Sequence, residues 1–216
     1  MAQRPVFLPA LTDGPLVREV SIHFPWHAGM AASQKKKNVA ELHHRAAAQG
    51  LTPLLEISSK SEREIGRKLS AFSLKTAIDG RETTLECAFQ GSKVFEGGGP
   101  YVDLYWVDSR EAKRDQRLRD SGKLRGFRFE GADFPLSPAT AFYDWLYIRA
   151  LYPHRDWLRR LSQCAGFTDI EFNPEKSLNC QARSCATFLS LQRRGELDEC
   201  STSFAYFADI LSRSSV

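Results

Sequence analysis

The order of the predicted helices and strands limits the fold more than any other feature, because helices dominate and strands do not alternate regularly with them. In LVREVSIHF, Leu16 to Phe24, apolar residues share one face, and this pattern predicts a strand. Further strands are predicted at Pro53 to Ser58, Leu69 to Thr76, LRGFRF and FTDIEF. This order indicates the α+β class, predominantly α-helical with a small β-sheet.

Seven segments have the periodicity and boundary residues of helices. The first runs from Ser33 to about Gln49, with Val39, Leu42 and Ala46 facing inward and Gly50 as its stop. The others are Thr84 to Phe95, Ser109 to Ser121, TAFYDWLYIRAL with Ser137-Pro138 as its cap and first turn, HRDWLRRLSQCAG, NCQARSCATFLSLQRR and SFAYFADIL. The last of these is amphipathic, so we expect it to pack back on the body of the protein.

The composition predicts a protein with a hydrophobic core and without a membrane-spanning segment. The chain has 216 residues, 42% of them hydrophobic, and no apolar run of about 18 residues. Its N-terminus lacks the apolar centre and cleavage pattern of a signal peptide. The five cysteines are odd in number and dispersed, which favours free thiols in a reducing compartment. We therefore expect a cytoplasmic protein that needs neither a metal nor a cofactor.

The net charge of +4 is ordinary, but the basic residues are clustered. One cluster is Lys35-Lys36-Lys37. The second consists of Arg110, Lys113, Arg114, Arg117, Arg119, Lys123, Arg125 and Arg128. Such a stripe suits a polyanion, for example a nucleic acid or a pyrophosphate. A solvated helix face explains the same pattern, and the sequence leaves both interpretations open.

The segment LECAFQGSKVFEGGGP carries the strongest chemical pattern. On a helix, Glu86, Gln90 and Lys93 stand at i, i+4 and i+7 and share one face. A carboxylate, an amide and an amine in one row suit sugar binding and proton transfer. The alternative is a capping box, in which Glu86 bonds back to the helix start at Thr83 and Lys93 is an ordinary solvent-facing lysine.

The stretch KSEREIGRKLSAFSLKTAIDGRETTLECAFQGSKVF resembles the signature of the NADAR family. That signature is a Leu-Ser-Asn-Phe strand, an Asp-Gly turn and a helix with Glu-x-x-x-Gln-x-x-Lys. The matching pieces here are Leu69-Ser70-Ala71-Phe72, Asp79-Gly80, and Glu86, Gln90 and Lys93. Later segments match in the same order, over roughly residues 55 to 195: SREAKRDQR, FYDWLYIRAL with HRDWLRRL, DIEF and NCQARSCATFLSLQRR.

Two departures from the family pattern stand out. Ala71 replaces the asparagine of the strand, and the Trp-Gly motif before the closing helix is absent, with Asn173-Pro174-Glu175-Lys176 in its place. The SAF strand, the FYDWLY helix and NPEKS-x-NCQARS are similar to the branch found as antitoxins beside DarT-type toxins, which ADP-ribosylate guanine in DNA. This resemblance implies a NADAR-like catalytic domain at residues 51–216 and an N-terminal addition at residues 1–50, packed as one compact unit.

The resemblance implies an N-glycosyl hydrolase that removes ADP-ribose from guanine in DNA, with RNA left open as a second polymer. A carboxylate near ribose C1 assists an oxocarbenium-like state, so Glu86 is the candidate acid/base. Lys93 is the candidate nucleophile, which forms an imine with the opened sugar, or else it binds the substrate electrostatically. Lys60 is a weaker alternative nucleophile.

Further residues are candidates for substrate binding. Arg183 and Asn179 suit phosphate or ribose contacts, although a surface arginine is an equal interpretation. Asp144 is either a second carboxylate of the site or a partner for Arg149. The remaining candidates are Ser70 and Phe72 of the strand, Gln90, and the aromatic residues Phe89, Phe134 and Trp145, which also fit a core.

Three functions remain open from the sequence. The first is hydrolysis of ADP-ribosylated guanine, as antitoxin to a DarT-type ADP-ribosyltransferase. The second is an N-glycosidase that acts on a phosphorylated riboflavin-pathway intermediate, and the third is a non-catalytic nucleic-acid-binding module. The Glu86, Gln90 and Lys93 row favours catalysis over the third. The basic stripe and the N-terminal addition favour a polymer substrate over the second.

Overall fold

The computed structural model describes residues 1–10, 14–29 and 31–213. Its strands are β1 Ala2–Pro9, β2 Val17–Phe24, β3 Leu54–Glu56, β4 Lys75–Ile78, β5 Arg81–Thr84, β6 Lys93–Phe95, β7 Leu124–Phe129, β8 Ala132–Phe134 and β9 Gly166–Thr168. Its α-helices are α1 Ala32–Ala47, α2 Glu64–Lys68, α3 Leu85–Gly91, α4 Ser109–Arg114, α5 Arg117–Asp120, α6 Ala141–Leu151, α7 Arg155–Leu158, α8 Gln181–Arg194, α9 Leu197–Thr202 and α10 Phe204–Arg213. Short 3-10 helices span Val102–Trp106, Tyr152–His154 and Arg159–Gln163.

Helices take up 46% of the described residues and strands 21%, so the predicted α+β class is confirmed. The largest sheet has the order β2-β1-β9-β3. β1 and β2 are antiparallel over eight residue pairs, whereas β3 and β9 are parallel. β4 with β5 and β6-β7-β8 form two smaller antiparallel sheets. Among the described residues, no helix is long and apolar enough to cross a membrane.

The N-terminal residues supply two strands of the main sheet and a helix that packs on them. Val39, Leu42 and Ala46 of α1 are buried, as predicted from their helical spacing, and they pack with residues of β1 and β2. β1 itself was not predicted, because its apolar run PVFL has no alternating pattern and two prolines interrupt the segment. The same sheet therefore contains strands from residues 1–50 and strands from the later part of the chain.

Two predicted elements near the candidate site are wrong. Leu69 to Thr76 is not a strand: Ser73 and Leu74 both donate their amides to the Ser70 carbonyl, and the strand begins only at Lys75. The helix predicted from Thr84 to Phe95 ends at Gly91, because the Ser92 hydroxyl donates to the Ala88 carbonyl and Lys93–Phe95 pairs with β7. The apolar residues whose spacing predicted these elements lie in turns and in a short strand instead.

Other boundaries also differ from the sequence prediction. The helix from Ser109 to Ser121 is broken at Asp115, whose carboxylate accepts from the Arg117 amide and starts a second helix. Ser137-Pro138 does not cap α6; the helix begins after Thr140, which has a left-handed backbone. HRDWLRRLSQCAG is a short helix followed by a 3-10 turn, and of FTDIEF only the first two residues lie in β9. The closing helix starts at Gln181, so Asn179 and Cys180 precede it.

The main core lies around α6, of which every residue but Arg149 is buried. The Phe142 ring stacks on Phe127 at 4.4 Å between ring centroids, and Phe134 contacts both Phe142 and Phe204 at 4.9 Å. The last contact packs α10 back on the body, as its amphipathic sequence predicts. All five cysteines are buried and free.

Candidate active site

Helix α3 presents Glu86 to the candidate site because its N-terminus is capped by another residue. The Thr84 hydroxyl accepts from the Cys87 amide at 3.3 Å, while the Thr83 hydroxyl donates to the Tyr105 carbonyl. The capping box between Thr83 and Glu86, which was the alternative from sequence, therefore does not form. The Glu86 carboxylate is left available for side-chain partners.

Glu86, Gln90 and Lys93 form a continuous hydrogen-bonded row. Gln90 Nε2 donates to Glu86 Oε1 at 2.9 Å, and Lys93 Nζ donates to Gln90 Oε1 at 2.7 Å. Glu86 and Gln90 are about 95% buried on α3, whereas Lys93 is half-buried on β6. The three side chains meet as predicted, although Lys93 reaches the row from a strand.

A second amine, which the sequence analysis placed only in the basic stripe, completes the row. Lys113 Nζ on α4 lies 3.8 Å from Glu86 Oε1 and 4.9 Å from the centre of the Phe72 ring. Its side chain is 56% exposed, in contrast to Glu86 at 6%. The Lys113 contact therefore marks the solvent-facing end of the row, with Phe72 beside it.

Burial lowers the pKa of Lys93 to about 8, from the 10.5 of an ordinary lysine. The Glu86 carboxylate opposes this shift, and the nearby Lys113 cation adds to it. The Lys93 ammonium also lies 4.7 Å from the centre of the Phe89 ring. A lysine with this pKa is about one-tenth neutral at pH 7, against less than one part in a thousand for an ordinary lysine, and the neutral form is the one that a nucleophilic amine requires.

The turn that contains Ala71 supports Glu86 through its backbone. The Ala71 carbonyl accepts from the Glu86 amide at 3.0 Å, and the Ala71 amide donates to Gln181 Oε1 at 2.8 Å. The buried Ser70 hydroxyl makes a long contact of 3.4 Å with Ser73. Since the Ala71 contacts are made by the backbone, the loss of the family asparagine leaves them in place.

Asp144 is buried on α6 and held by two hydroxyls. Its carboxylate accepts from Ser184 Oγ at 2.5 Å and from Thr140 Oγ1 at 2.7 Å. Burial raises the pKa of Asp144, and the Arg183 charge and both hydroxyls oppose that shift. Arg149 pairs with Glu130, so the sequence alternative of an Asp144–Arg149 pair is wrong.

Tyr143 lies close to the row and was not among the candidates predicted from the sequence. It is buried on α6, its ring centroid lies 4.9 Å from that of Phe89, and burial and the Glu86 charge raise its pKa well above 10. Its phenol is therefore a neutral group close to the row. The FYDWLY motif, which contains it, was the available signal.

The other candidates lie in the core or in loops. Phe134 and Trp145 are core residues, with ring centroids 5.2 Å apart. Phe89 packs in the same core, on Phe127 at 5.5 Å, but its ring also lies beside Lys93 of the row. Lys60 Nζ donates to Ser59, and no contact among the described residues joins it to the row. The Asn179 backbone carbonyl accepts from Ser177 Oγ in the loop before α8.

Comparison with known proteins adds one finding to this geometry. A family model described as the DarT1-associated NADAR antitoxin matches residues 2–216, almost the whole chain. No curated protein matches the chain. The match begins at the first residue of β1, so it includes residues 2–50 as well as the row around Glu86.

Proposed function

Since this chain belongs to the family of DarT1-associated NADAR antitoxins, we propose that it hydrolyses the bond between ADP-ribose and guanine in DNA modified by its toxin. The observation that carries the proposal is the row from Lys113 through Glu86 and Gln90 to Lys93, which ends in a half-buried amine with a pKa near 8. A carboxylate and an amine joined through one amide in a hydrogen-bonded row suit N-glycosyl cleavage.

In the proposed mechanism the ribose ring of the bound substrate opens first. The electron pair of the C1–O bond moves to the ring oxygen, which takes a proton from a group at the site. The guanine nitrogen keeps its bond to C1 as an imine. The neutral Lys93 amine then adds to C1, and the bond from C1 to the guanine nitrogen breaks after that nitrogen receives a proton. Lys93 is left joined to C1 as an imine, and unmodified guanine is released.

Water completes the reaction by adding to C1 of the lysine imine. The bond between C1 and Lys93 Nζ then breaks, the amine regains its proton, and ADP-ribose leaves. Glu86 is assigned the proton transfers in these steps, because it is the carboxylate of the row and is separated from Lys93 by one amide side chain. Gln90 holds Glu86 and Lys93 at a fixed spacing through its two amide atoms.

The proposal is tested with guanine-ADP-ribosylated DNA and, separately, with the phosphorylated riboflavin-pathway intermediate. We expect release of ADP-ribose from the DNA alone. Turnover of the flavin intermediate alone would move the substrate class to a small metabolite, and no turnover of either would favour a non-catalytic nucleic-acid-binding module.

The role of Lys93 is tested by reduction with borohydride during turnover. We expect a covalent adduct between Lys93 and ADP-ribose, with Lys93→Ala retaining substrate binding but releasing no ADP-ribose. Lys60→Ala is the matched control, and it should keep the adduct. An adduct that forms equally well in Lys93→Ala would remove Lys93 as the nucleophile. Glu86→Gln should slow release by about 100-fold or more, as expected when an acid/base is lost.

A further inference from the structure

The second basic cluster of the sequence divides into two groups in the structure. Three of its arginines are neutralised by carboxylates: Arg117 by Asp103 and Asp115, Arg125 by Glu96, and Arg128 by Asp133. Arg110 and Arg114 are exposed and form no ion pair with any residue in the described ranges. The uncompensated charge of the cluster therefore includes the two arginines of α4.

Helix α4 places this charge beside the solvent-facing end of the row, where Lys113 lies. Arg110, Lys113 and Arg114 stand at i, i+3 and i+4, so they share one side of the helix, while Ser109 and Ala112 are buried. Lys113 on that side reaches Glu86 and the Phe72 ring. An anion held by Arg110 or Arg114 would thus lie next to the open end of the row.

The acidic residues of this region leave the arginine side chains available. The Asp108 carboxylate accepts from the backbone amide of Arg110, and the Asp115 carboxylate is held by Arg117. Glu111 is exposed and stands one position after Arg110 and three before Arg114, so it lies beside Arg114, but it forms no ion pair with any described residue. Three cations against this one carboxylate leave the side of α4 around Lys113 with a net positive charge.

We propose that Arg110 and Arg114 bind consecutive phosphates of the DNA strand that flanks the modified guanine. The inference rests on the proposed function and adds the surface by which that site recognises a strand. Guanidinium groups match phosphate oxygens in a two-pronged geometry, and side chains four positions apart on a helix are about 6 Å apart. Single-stranded DNA is the expected form, since the enzyme must reach an unstacked base.

The test compares the protein with its Arg110→Gln/Arg114→Gln variant on two substrates, an ADP-ribosylated single-stranded oligonucleotide and ADP-ribosylated guanosine. We expect the ratio of kcat/KM for the strand to that for the nucleoside to fall about ten-fold. Loss of two phosphate contacts should also make the slope of log kcat/KM against log salt concentration shallower by about 1.4. Lys36→Gln/Lys37→Gln removes the same charge from the first basic cluster, and it should preserve both values.

Binding of an unmodified, labelled DNA strand supplies a readout that does not depend on turnover. We expect weaker binding by the Arg110/Arg114 variant and ordinary binding by the Lys36/Lys37 variant. The proposal would be overturned if all three proteins bound the strand equally, or if both variants lost binding equally. It would also be overturned if kcat/KM of the Arg110/Arg114 variant fell equally for the strand and the nucleoside. Equal affinity for a polyglutamate peptide would overturn it as well, in favour of an acidic protein partner. Circular dichroism melting confirms that the variants are folded.

Failure of the proposed function can be distinguished from failure of this inference. If the proposed function is wrong, neither the unchanged protein nor any variant releases ADP-ribose from either substrate, and binding of the labelled strand still decides the role of Arg110 and Arg114.

Discussion

The most direct check on the candidate site is to change the pH and measure how the reactivity of the Lys93 amine follows its protonation. With a pKa of about 8, the neutral fraction of Lys93 is about 1% at pH 6, half at pH 8 and about 90% at pH 9. Its reactivity should rise about 90-fold between pH 6 and 9 and then level off. An ordinary lysine, with a pKa near 10.4, would rise about 1,000-fold over the same range and continue to rise.

Competitive acetylation measures this difference directly. Trace acetic anhydride modifies neutral amines, and peptide mass spectrometry gives the rate at Lys93 at each pH. N-acetyl-lysine amide in the same tube serves as the ordinary reference. Since burial is the largest cause of the lowered pKa, a Lys93 rate that follows the reference without a plateau up to pH 10 would show that the side chain is solvated, and the neutral-nucleophile argument would fail.

Four further predictions follow from named contacts. Lys113→Gln removes a cation near Lys93, so the plateau in the acetylation profile should move to higher pH while staying below that of the reference. Lys93→Met removes a poorly solvated ammonium and should stabilise the fold at pH 7 by roughly 2 kcal/mol, measured by urea denaturation, while turnover is lost. Gly91→Ala places a Cβ 2.5 Å from the Tyr105 ring, and this overpacking should lower stability by about 1–3 kcal/mol in the same measurement; an unchanged midpoint would contradict the close approach. Burial lowers the pKa of His43 to about 4, so the unfolded chain takes up the proton first and the free energy of unfolding decreases as the pH falls from about 6.5 towards 4. The His43→Leu variant should lose about 2 kcal/mol less of this free energy between pH 7 and pH 5 than the unchanged protein. Equal losses in both proteins would refute this.

The sequence predicts the structure correctly where the periodicity of a single helix decides which residues share a face. The inward residues of α1 follow from helical spacing, and the row of Glu86 and Gln90 follows from their separation by four positions. Lys93 meets the row for a different reason. The helix ends before it, but the long lysine side chain still reaches the Gln90 amide from β6.

The parts of the site that sequence did not reveal depend on contacts between distant segments. Lys113 is 27 positions from Glu86, and the packing of α4 on α3 brings them together. Tyr143 joins the site through its packing on Phe89, which no local pattern contains. Ala71 is similar, because its backbone joins Gln181 to Glu86, whereas the sequence shows only a missing asparagine.

The position of β9 has a consequence for how the chain assembles during synthesis. This three-residue strand lies between β1 and β3, and Phe7 pairs with Phe167. The hairpin of β1 and β2 therefore leaves the ribosome long before β9 has been synthesised, and the edge of β1 that will pair with β9 is unpaired until then. Until residues 166–168 emerge, a chaperone or the edge of another chain has access to that strand, so premature termination upstream of Gly166 should yield an aggregation-prone fragment.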